Sequence, residues 1–384
     1  MPARSNLSSL ANYAAEVIRR WREGLNADAA LRDFMKRHPQ FPQPGRTKLT
    51  RAVFAYFRWM QWLPGDTRLP GQIQAAMDLQ DRYQSDPRTI KGPTLLARAV
   101  PEWIWEELTF ESDEAKTAWV RSLQNTPPLW LRPRPGTAAT LAKKLGGCEP
   151  AEHALAPDAL RYTGHNDLYR CAPFEQGAFE IQDLASQIVG SLCAPQPGQT
   201  WWDVCAGEGG KSLHLADLMR NKGTLWCSDR SRRRLDNLKR RFTRAQLYNY
   251  RVAPWESPDH LPTRTKFDGI LVDAPCSGVG TWARNPDARW TTTPQDVEEL
   301  AAVQLKLLNQ VAASLKPGGR LIYAVCTLTR SETTAVAEAF TAAHPELQPL
   351  SLSSLDTRLS SPTAFLWPQD LRANGMFVAA WQRK

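Results

Sequence analysis

The sequence predicts an α/β protein in which a mostly parallel, doubly wound sheet follows an all-α N-terminal domain. In the first third of the chain, apolar positions recur at helical spacing. From Thr200 onward, short apolar runs typical of buried strands alternate with amphipathic helical segments. Pro-rich sequence between the two regions indicates extended chain. We therefore expect a helical domain over residues 1–123, a connecting subdomain over 124–190 and an α/β domain over 191–384.

One-sided apolar patterns predict the helices of the first domain. Residues 10–21 place apolar side chains on one helix face, and residues 49–63 form a second, strongly apolar helix that also carries arginines. Two further helices are expected over 26–31 and 95–108. The Pro and Gly residues at Pro42–Gly45, 64–65 and 70–71 are expected in loops.

The sheet of the last domain is predicted from buried-strand patterns. Asp183 is a suitable N-cap for the helix that precedes the first strand. The segment 316–320, Lys-Pro-Gly-Gly-Arg, is expected to form a tight helix-to-strand connection. Strands are predicted at 201–204, 224–227, 247–252, 267–272 and 321–325, with helices at 212–219, 231–243 and 294–315.

Composition restricts the kind of protein and of partner. The chain has 384 residues, 42% of them hydrophobic, and no run approaches the roughly 20 apolar residues that a membrane span needs. No signal-peptide pattern opens the chain, so we expect a cytoplasmic location and no membrane partner. The seven cysteines include no C-x-x-C pair and the six histidines show no ligand spacing, so neither a disulfide framework nor a metal site is expected.

The net charge of +9 favours a polyanionic partner such as RNA. Basic residues concentrate in the segment 230–244, where the apolar positions Leu235, Leu238 and Phe242 would face inward on a helix. The exposed arginines fit an RNA-binding track, but a solvated helix face explains them almost as well. Both interpretations stay open at this stage.

Two cysteines occupy matching positions fifty residues apart. Cys276 and Cys326 each follow an apolar run that predicts a buried strand, and Asp273 stands just before Cys276. Ligands bind beyond the carboxyl ends of strands in open α/β sheets. A single free cysteine is usually a small buried hydrophobic residue. Two thiols at strand ends beside a carboxylate favour covalent chemistry instead.

A glycine-rich loop follows the first predicted strand of the sheet. Residues 203–211, Asp-Val-Cys-Ala-Gly-Glu-Gly-Gly-Lys, end at the start of a predicted helix, where backbone amides can hold an anionic group. Asp229 ends the second strand and is placed to accept hydrogen bonds from ribose hydroxyls. Together the loop and Asp229 predict a nucleoside-type cofactor site, although the loop is neither a G-x-G-x-x-G fingerprint nor a Walker loop.

The most specific motif follows the fourth predicted strand. Residues 273–290 run D-A-P-C-S-G-V-G-T-W-A-R-N-P-D-A-R-W. This segment resembles the RNA cytosine-5 methyltransferases of the Sun/Nol1/Nop2 family, whose pattern is close to D-A-P-C-S-G-x-G-x-x-R-x-P-D followed by a tryptophan. Other motifs of that family align with 182–183, 203–212, 325–327, Glu332 and 374–377. More weakly, the helical domain resembles the NusB-like RNA-binding domain of the bacterial small-subunit rRNA branch, the RsmB or Fmu type, best over 49–63.

The resemblance implies a Rossmann-like class I methyltransferase domain that uses S-adenosylmethionine to methylate C5 of a cytosine in RNA. It assigns attack on C6 of the base to the Cys326 thiolate, product release to Cys276 and a contact with the base edge to Asp273. RNA contacts are expected at Arg284, Asn285 and Pro286. The residues expected at the cofactor are Asp203, Cys205, Ala206, Gly207, Gly209, Gly210, Lys211, Asp229, Arg234 and Asp273.

Some positions depart from the family pattern. Glu208 replaces a proline in the cofactor loop, where its carboxylate would repel that of the cofactor. The acidic residue that binds adenine in the family has no clear counterpart, and Trp255 or Glu256 is expected to serve instead.

The expected partner is RNA, with 16S rRNA favoured over tRNA, and we expect a monomer. A tRNA cytosine-5 methyltransferase is one alternative, and a non-catalytic RNA-binding or ribosome-assembly factor on the same scaffold is another. The two thiols argue against the non-catalytic factor, since binding alone needs neither of them.

Overall fold

A computed structural model describes residues 3–41, 43–256, 260–352 and 361–384. The chain divides into two compact units: a helical unit of residues 1–126 and 281–293, and an α/β unit of residues 127–280 and 294–384. The segment 281–293, which the sequence alone assigned to the α/β domain, therefore packs with the helical unit. The domain limits expected from the sequence stay a prediction.

Amphipathic helices build the helical unit. Their shared core includes Ile18, Phe34, Phe57 and Trp59, all fully or almost fully buried, as the apolar spacing predicted. The helices are α1 (Ala3–Arg22), α2 (Ala27–Arg37), α3 (Gln43–Trp59), α4 (Leu69–Ser85), α5 (Gly92–Arg98), α6 (Ile104–Glu107) and α7 (Asp113–Leu123).

Two expectations for this unit were wrong. Pro70 and Gly71 do not lie in a loop but in the first turn of α4. Pro44 and Gly45 likewise lie in the first turn of α3, while Pro42 is outside the described residues. A proline is tolerated there because its missing N–H would have no helical partner in that turn. The expected helix over 95–108 is instead two short helices, α5 and α6. Pro101 lies between them, where it disfavours helical backbone at the preceding residue.

The α/β unit begins with a small antiparallel sheet. Its strand order is β2-β3-β1-β4, and its face packs around Leu131, Leu141 and Phe179. The elements are β1 (Leu129–Pro133), α8 (Ala138–Leu145), β2 (Cys148–Pro150), β3 (Leu160–Tyr162), α9 (Ala172–Glu175) and β4 (Phe179–Ile181).

The main sheet has eight strands in the order β10-β12-β9-β8-β5-β6-β7, with β11 paired to β12. Its centre is parallel, and all five strands predicted from the sequence occur in it. The elements are α10 (Leu184–Cys193), β5 (Thr200–Asp203), α11 (Gly210–Leu218), β6 (Thr224–Cys227), α12 (Arg232–Arg244), β7 (Tyr250–Val252), β8 (Phe267–Asp273), α13 (Pro294–Ala312), β9 (Leu315–Val325), α14 (Thr334–Ala343), β10 (Leu347–Pro349), β11 (Thr363–Leu366), α15 (Pro368–Leu371) and β12 (Met376–Arg383).

Helices cover both faces of this sheet, which confirms the predicted doubly wound α/β fold. Successive strand residues point to opposite faces, so Trp201 packs in the cluster with α10 to α12 and Trp202 in the cluster with α13 and α14. Asp183 caps α10 as predicted, because its side chain accepts a hydrogen bond from the Ala185 backbone N–H. None of the helices in the described ranges is long and apolar enough to cross a membrane.

The C-terminal edge of the sheet departs from the expected pattern. Residues 316–320 are not a tight connection, since β9 already begins at Leu315, which pairs with Phe267. A register shift between Phe267 and Gly269 takes up the extra residues. Strand β12 then adds antiparallel to β9, and β10 and β11 pair with β12.

The basic segment 230–244 forms α12. Leu235, Leu238 and Phe242 are buried, as predicted, and most of the basic side chains are exposed. Arg241 and Arg244 form ion pairs with Glu180 of β4. The packing therefore explains the apolar face and two of the arginines.

Candidate active site

A cavity of about 960 Å³ opens where strands β5, β6, β8 and β9 end. Its walls include the loop after β5, Asp229 after β6, Asp273 at the end of β8, and Cys276 and Cys326. The carboxyl ends of parallel strands meet at one edge of a sheet, which is where the sequence predicted the site. Of the residues predicted at the cofactor, the lining includes Cys205, Ala206, Gly207, Gly210, Lys211, Asp229, Arg234 and Asp273.

Asp229 joins the first two loops of the cavity. Its Oδ2 accepts a hydrogen bond of 3.0 Å from the Gly207 N–H, and its Oδ1 accepts one of 2.7 Å from the Ser231 N–H. Gly209 has a φ of +85°, and a Cβ there would come within 2.9 Å of Leu238 on α12. Glycine is therefore required at this turn, which brings backbone amides to the cavity.

Asp203 lies behind the loop, outside the cavity lining. Its Oδ2 accepts a hydrogen bond of 2.6 Å from the Ser212 hydroxyl, and its Oδ1 has no hydrogen-bond partner among the described residues. Burial raises the pKa of Asp203 to about 7. The site thus holds a buried carboxyl group with one unused acceptor atom.

Lys211 and Asp273 form an ion pair inside the cavity. The Lys211 Nζ lies 2.8 Å from Asp273 Oδ2 and donates a second hydrogen bond of 3.2 Å to the Ser186 hydroxyl. Burial lowers the pKa of Lys211, but the adjacent Asp273 carboxylate outweighs burial and raises it above its usual value. The pair places a positive charge and a carboxylate side by side next to the thiols.

The two cysteines converge, with 3.3 Å between their Sγ atoms. A hydrogen bond from the Cys276 thiol lowers the pKa of Cys326, and the charge of Lys211 lowers it further, against the effect of burial. The same hydrogen bond, together with burial, raises the pKa of Cys276. The arrangement therefore favours a thiolate at Cys326 and a neutral donor thiol at Cys276. In the described residues no group of three or more His, Cys, Asp or Glu side chains could hold a metal ion.

Buried polar side chains support both cysteine loops. Glu332 accepts hydrogen bonds from the Ser277 N–H, next to Cys276, and from the Thr327 hydroxyl, next to Cys326. Gln304 of α13 donates to Glu332 as well, at 2.9 Å. No pattern in the sequence identified Gln304, because it is one polar residue on a long amphipathic helix and its side-chain partners are 19 to 29 residues away along the chain.

The residues expected to contact RNA are not part of the cavity. Arg284, Asn285 and Pro286 lie in the segment 281–293 of the helical unit. Arg289 anchors this segment through hydrogen bonds to backbone carbonyl groups, and Trp282 is fully buried. This part of the family motif has a packing role that the resemblance did not imply.

The departures from the family pattern have definite positions. Glu208 is exposed at the cavity wall, and its carboxylate accepts a hydrogen bond of 2.7 Å from Asn237 on α12. Trp255 lines the cavity and packs against Trp202 with 5.7 Å between ring centroids. Glu256 pairs with Arg232. Trp255 therefore offers a flat apolar wall to a cofactor base, and Glu256 also lines the cavity, with its carboxylate paired to Arg232.

Comparison with known proteins agrees with this geometry. A family model described as 16S rRNA methyltransferase RsmB/F matches residues 191–382. A protein of Synechocystis sp. named probable ribosomal RNA small subunit methyltransferase B is 33% identical over 295 residues, which cover 73% of this chain and 66% of that relative. The chain therefore spans slightly less than two thirds of the length of this curated relative.

Solved structures share the fold. The protein PH0851 superposes with a TM-score of 0.77 at 22% identity, covering 98% of this chain and 99% of that one. A methyltransferase homolog protein from Pyrococcus horikoshii superposes with a TM-score of 0.60 at 23% identity, covering 71% of this chain and 92% of that one. At these identities the likeness concerns the fold alone.

Proposed function

Because the chain belongs to the 16S rRNA methyltransferase RsmB/F family, we propose that it is an S-adenosylmethionine-dependent methyltransferase acting on C5 of a cytosine in 16S rRNA. The observation that carries this proposal is the pair of thiols 3.3 Å apart beside the Lys211–Asp273 ion pair. Methylation at a carbon of the pyrimidine ring needs a nucleophile to activate that ring, whereas RNA binding alone needs none.

The loops of the cavity suit such a cofactor. Backbone amides after β5 can hold its carboxylate, and a Cβ built on Gly207 would meet nothing within 4 Å, so the loop has room beside it. The Asp229 oxygens each keep a free lone pair for ribose hydroxyls, and Trp255 can pack on the base. The Glu208 carboxylate is drawn to Asn237, which reduces the repulsion expected from the sequence. S-adenosylmethionine supplies an electrophilic methyl group when bound.

In the proposed reaction the Cys326 thiolate adds to C6 of the cytosine. A sulfur–carbon bond forms, and the electrons of the C5–C6 double bond make C5 nucleophilic. Asp273, which is paired with Lys211, accepts a hydrogen bond from the exocyclic amine of the base. The base must leave its stack to enter the cavity, which favours a flexible or single-stranded target.

Release reverses the addition. Once C5 carries the methyl group, the proton on C5 passes to a proton acceptor. The C5–C6 double bond then re-forms and the bond between Cys326 Sγ and C6 breaks. Either sulfur can donate in the contact between the two thiols; with Cys276 as the donor, its thiol hydrogen stabilises the departing Cys326 thiolate. The two cysteines therefore have different duties although their Sγ atoms are in contact.

The proposal is tested with methyl-labelled S-adenosylmethionine and RNA from cells that lack the gene. We expect label at C5 of a cytosine in 16S rRNA and none in tRNA, measured by nucleoside mass spectrometry. Cys326→Ala should abolish transfer, because it removes the proposed attacking thiolate. Cys276→Ala should accumulate a protein–RNA adduct that survives denaturing electrophoresis, because release is slowed.

Three other outcomes would change the assignment. Label in tRNA alone would identify a tRNA methyltransferase on this scaffold. RNA binding without transfer to either RNA would identify a non-catalytic binding or assembly factor. An adduct formed by Cys326→Ala instead of Cys276→Ala would exchange the roles of the two cysteines.

A further inference from the structure

We propose that Glu332 is a positioning residue that holds the Cys276 loop and the Cys326 loop together and so sets the contact between the two thiols. Its effect on methyl transfer rests on the proposed function, whereas its effect on the thiol contact can be measured without RNA or cofactor. Glu332 touches neither sulfur and does not line the cavity, so it acts through its neighbours.

The Glu332 carboxylate is fully buried and receives hydrogen bonds on both oxygens. The Ser277 N–H donates to Oε1 at 2.8 Å, and the Ser277 hydroxyl donates to Oε2. On the other side, the Thr327 hydroxyl donates to Oε2 at 3.1 Å and the Thr329 hydroxyl at 2.8 Å. Ser277 follows Cys276 directly and Thr327 follows Cys326 directly, so one carboxylate connects the backbones that carry both thiols.

A second set of contacts fixes Glu332 itself. Gln304 donates from one amide nitrogen to Glu332 Oε1 and to the Pro275 carbonyl, both at 2.9 Å. The Tyr323 hydroxyl contacts Gln304 Oε1 at 2.8 Å and the Glu332 backbone carbonyl at 2.6 Å. Gln304 and Tyr323 are fully buried. The carboxylate is therefore bonded to α13, and the backbone of the same residue is bonded to β9.

The arrangement requires a carboxylate at position 332. No lysine, arginine or histidine forms an ion pair with it in the described parts of the chain, so neutral donors alone offset the cost of burying the charge. A carboxylate only accepts, which orients both flanking hydroxyls toward it. Glutamine would replace one acceptor by an N–H donor facing those hydroxyls. Glu332→Gln thus changes few atoms but removes the common acceptor of the two loops.

The direct test measures the thiol contact by oxidation. Diamide accepts two electrons and two protons from Cys276 and Cys326 and leaves a bond between their Sγ atoms. The rate at which that disulfide forms is followed by peptide mass spectrometry and reports how often the two thiols are in contact. We expect Glu332→Gln to slow it about tenfold or more, since small displacements of oriented groups have large effects on rate. Thr333→Val is the matched control, because Thr333 is buried beside Glu332 but, among the described residues, its hydroxyl bonds to the Thr329 carbonyl and not to Glu332.

The kinetic test follows methyl transfer. We expect Glu332→Gln to lower kcat on the order of 10²-fold with the KM for S-adenosylmethionine nearly unchanged, since the thiols move and the cofactor loop does not. Oxidation at the wild-type rate in a folded Glu332→Gln protein would overturn the proposal. If that variant does not fold, the double variant Thr327→Val/Thr329→Val removes both hydroxyl donors on the Cys326 side, and unchanged oxidation there would overturn the proposal too. Absence of methyl transfer in the unmodified protein would end the proposed function and leave the oxidation result intact.

Discussion

Each half of the motif at 273–290 is held by a buried charge. The two charges have opposite signs, and their hydrogen-bond partners are of different kinds. In the α/β unit, the Glu332 carboxylate beneath the cysteine loops is surrounded by hydroxyl and amide side chains and one backbone N–H. In the helical unit, the Arg289 guanidinium donates chiefly to the backbone carbonyls of Ala99, Leu123 and Trp282. Neither charge has an ion-pair partner in the described residues.

The difference explains what each half of the motif does. Side-chain donors around Glu332 belong to the residues that follow the two cysteines, so they can set the distance between the two thiols. Backbone acceptors around Arg289 come from chain ends of helices and from the motif itself, so they tie the segment 281–293 into the helical core. One buried charge supports proposed chemistry, and the other supports packing.

Arg289→Met is expected to have the largest effect on the stability of the protein. Removing the guanidinium leaves three buried carbonyl groups without their donor, so we expect the free energy of unfolding to fall by about 3 kcal/mol or more. Denaturant unfolding measures this loss. Arg58 is the matched control, because it is also buried but donates one bond, to the Ala283 carbonyl.

Arg58→Met should cost less, about 1.5 kcal/mol. It breaks one hydrogen bond instead of several, because the Arg58 guanidinium meets one carbonyl acceptor, whereas that of Arg289 meets three. Equal losses of unfolding free energy in the two variants would show that the number of carbonyl acceptors does not determine how much each arginine contributes to stability.

Asp203→Asn extends the comparison to a buried carboxyl group with few donors. In the unmodified protein, burial raises the pKa of Asp203 to about 7, above the value of about 3.9 in an unfolded chain. Between those values the folded state binds a proton that the unfolded state has released, so stability falls as the pH rises from about 4 to 7. The Tm of the variant relative to the unmodified protein should therefore increase from about pH 5 to about pH 8.

This prediction has a clear contrary result. A Tm difference that stays constant across that pH range would mean that Asp203 is already ionised at low pH. The measurement uses protein without cofactor, so that a bound ligand does not alter the protonation of the site.

Asp287→Ala has the smallest expected effect. The Asp287 carboxylate accepts a hydrogen bond of 2.9 Å from the Ala27 N–H, while Asn26, the N-cap of the same helix, accepts one from the Ala29 N–H. We expect a loss of about 1 kcal/mol, similar to that of an ordinary N-cap, measured by thermal unfolding. Asn26→Ala provides the comparison within α2. An unchanged thermal stability in Asp287→Ala would show that the hydrogen bond from Asp287 to α2 does not stabilise the protein.

Much of the architecture followed from local pattern. The five central strands, the cap at Asp183 and the buried face of α12 were predicted, because they depend on residue spacing within one element. Strand β12 and the register shift of β9 were not, because edge pairing depends on which partner strand is free. The helix α4 was obscured because Pro70 and Gly71 indicate a turn unless the helix start is known.

The sequence by itself determined the sheet, the position of two thiols and a glycine loop at its carboxyl edge, and a family resemblance that the comparisons confirmed. Only the tertiary structure decided that the thiols are in contact, that Gln304 and Glu332 support them, and that the motif at 273–290 is divided between two compact units. The reason is physical: strand and helix patterns reflect neighbours a few residues apart, whereas Arg289 and its Ala99 acceptor are 190 positions apart. Partners of buried charges depend on such distant pairings, which no local period encodes.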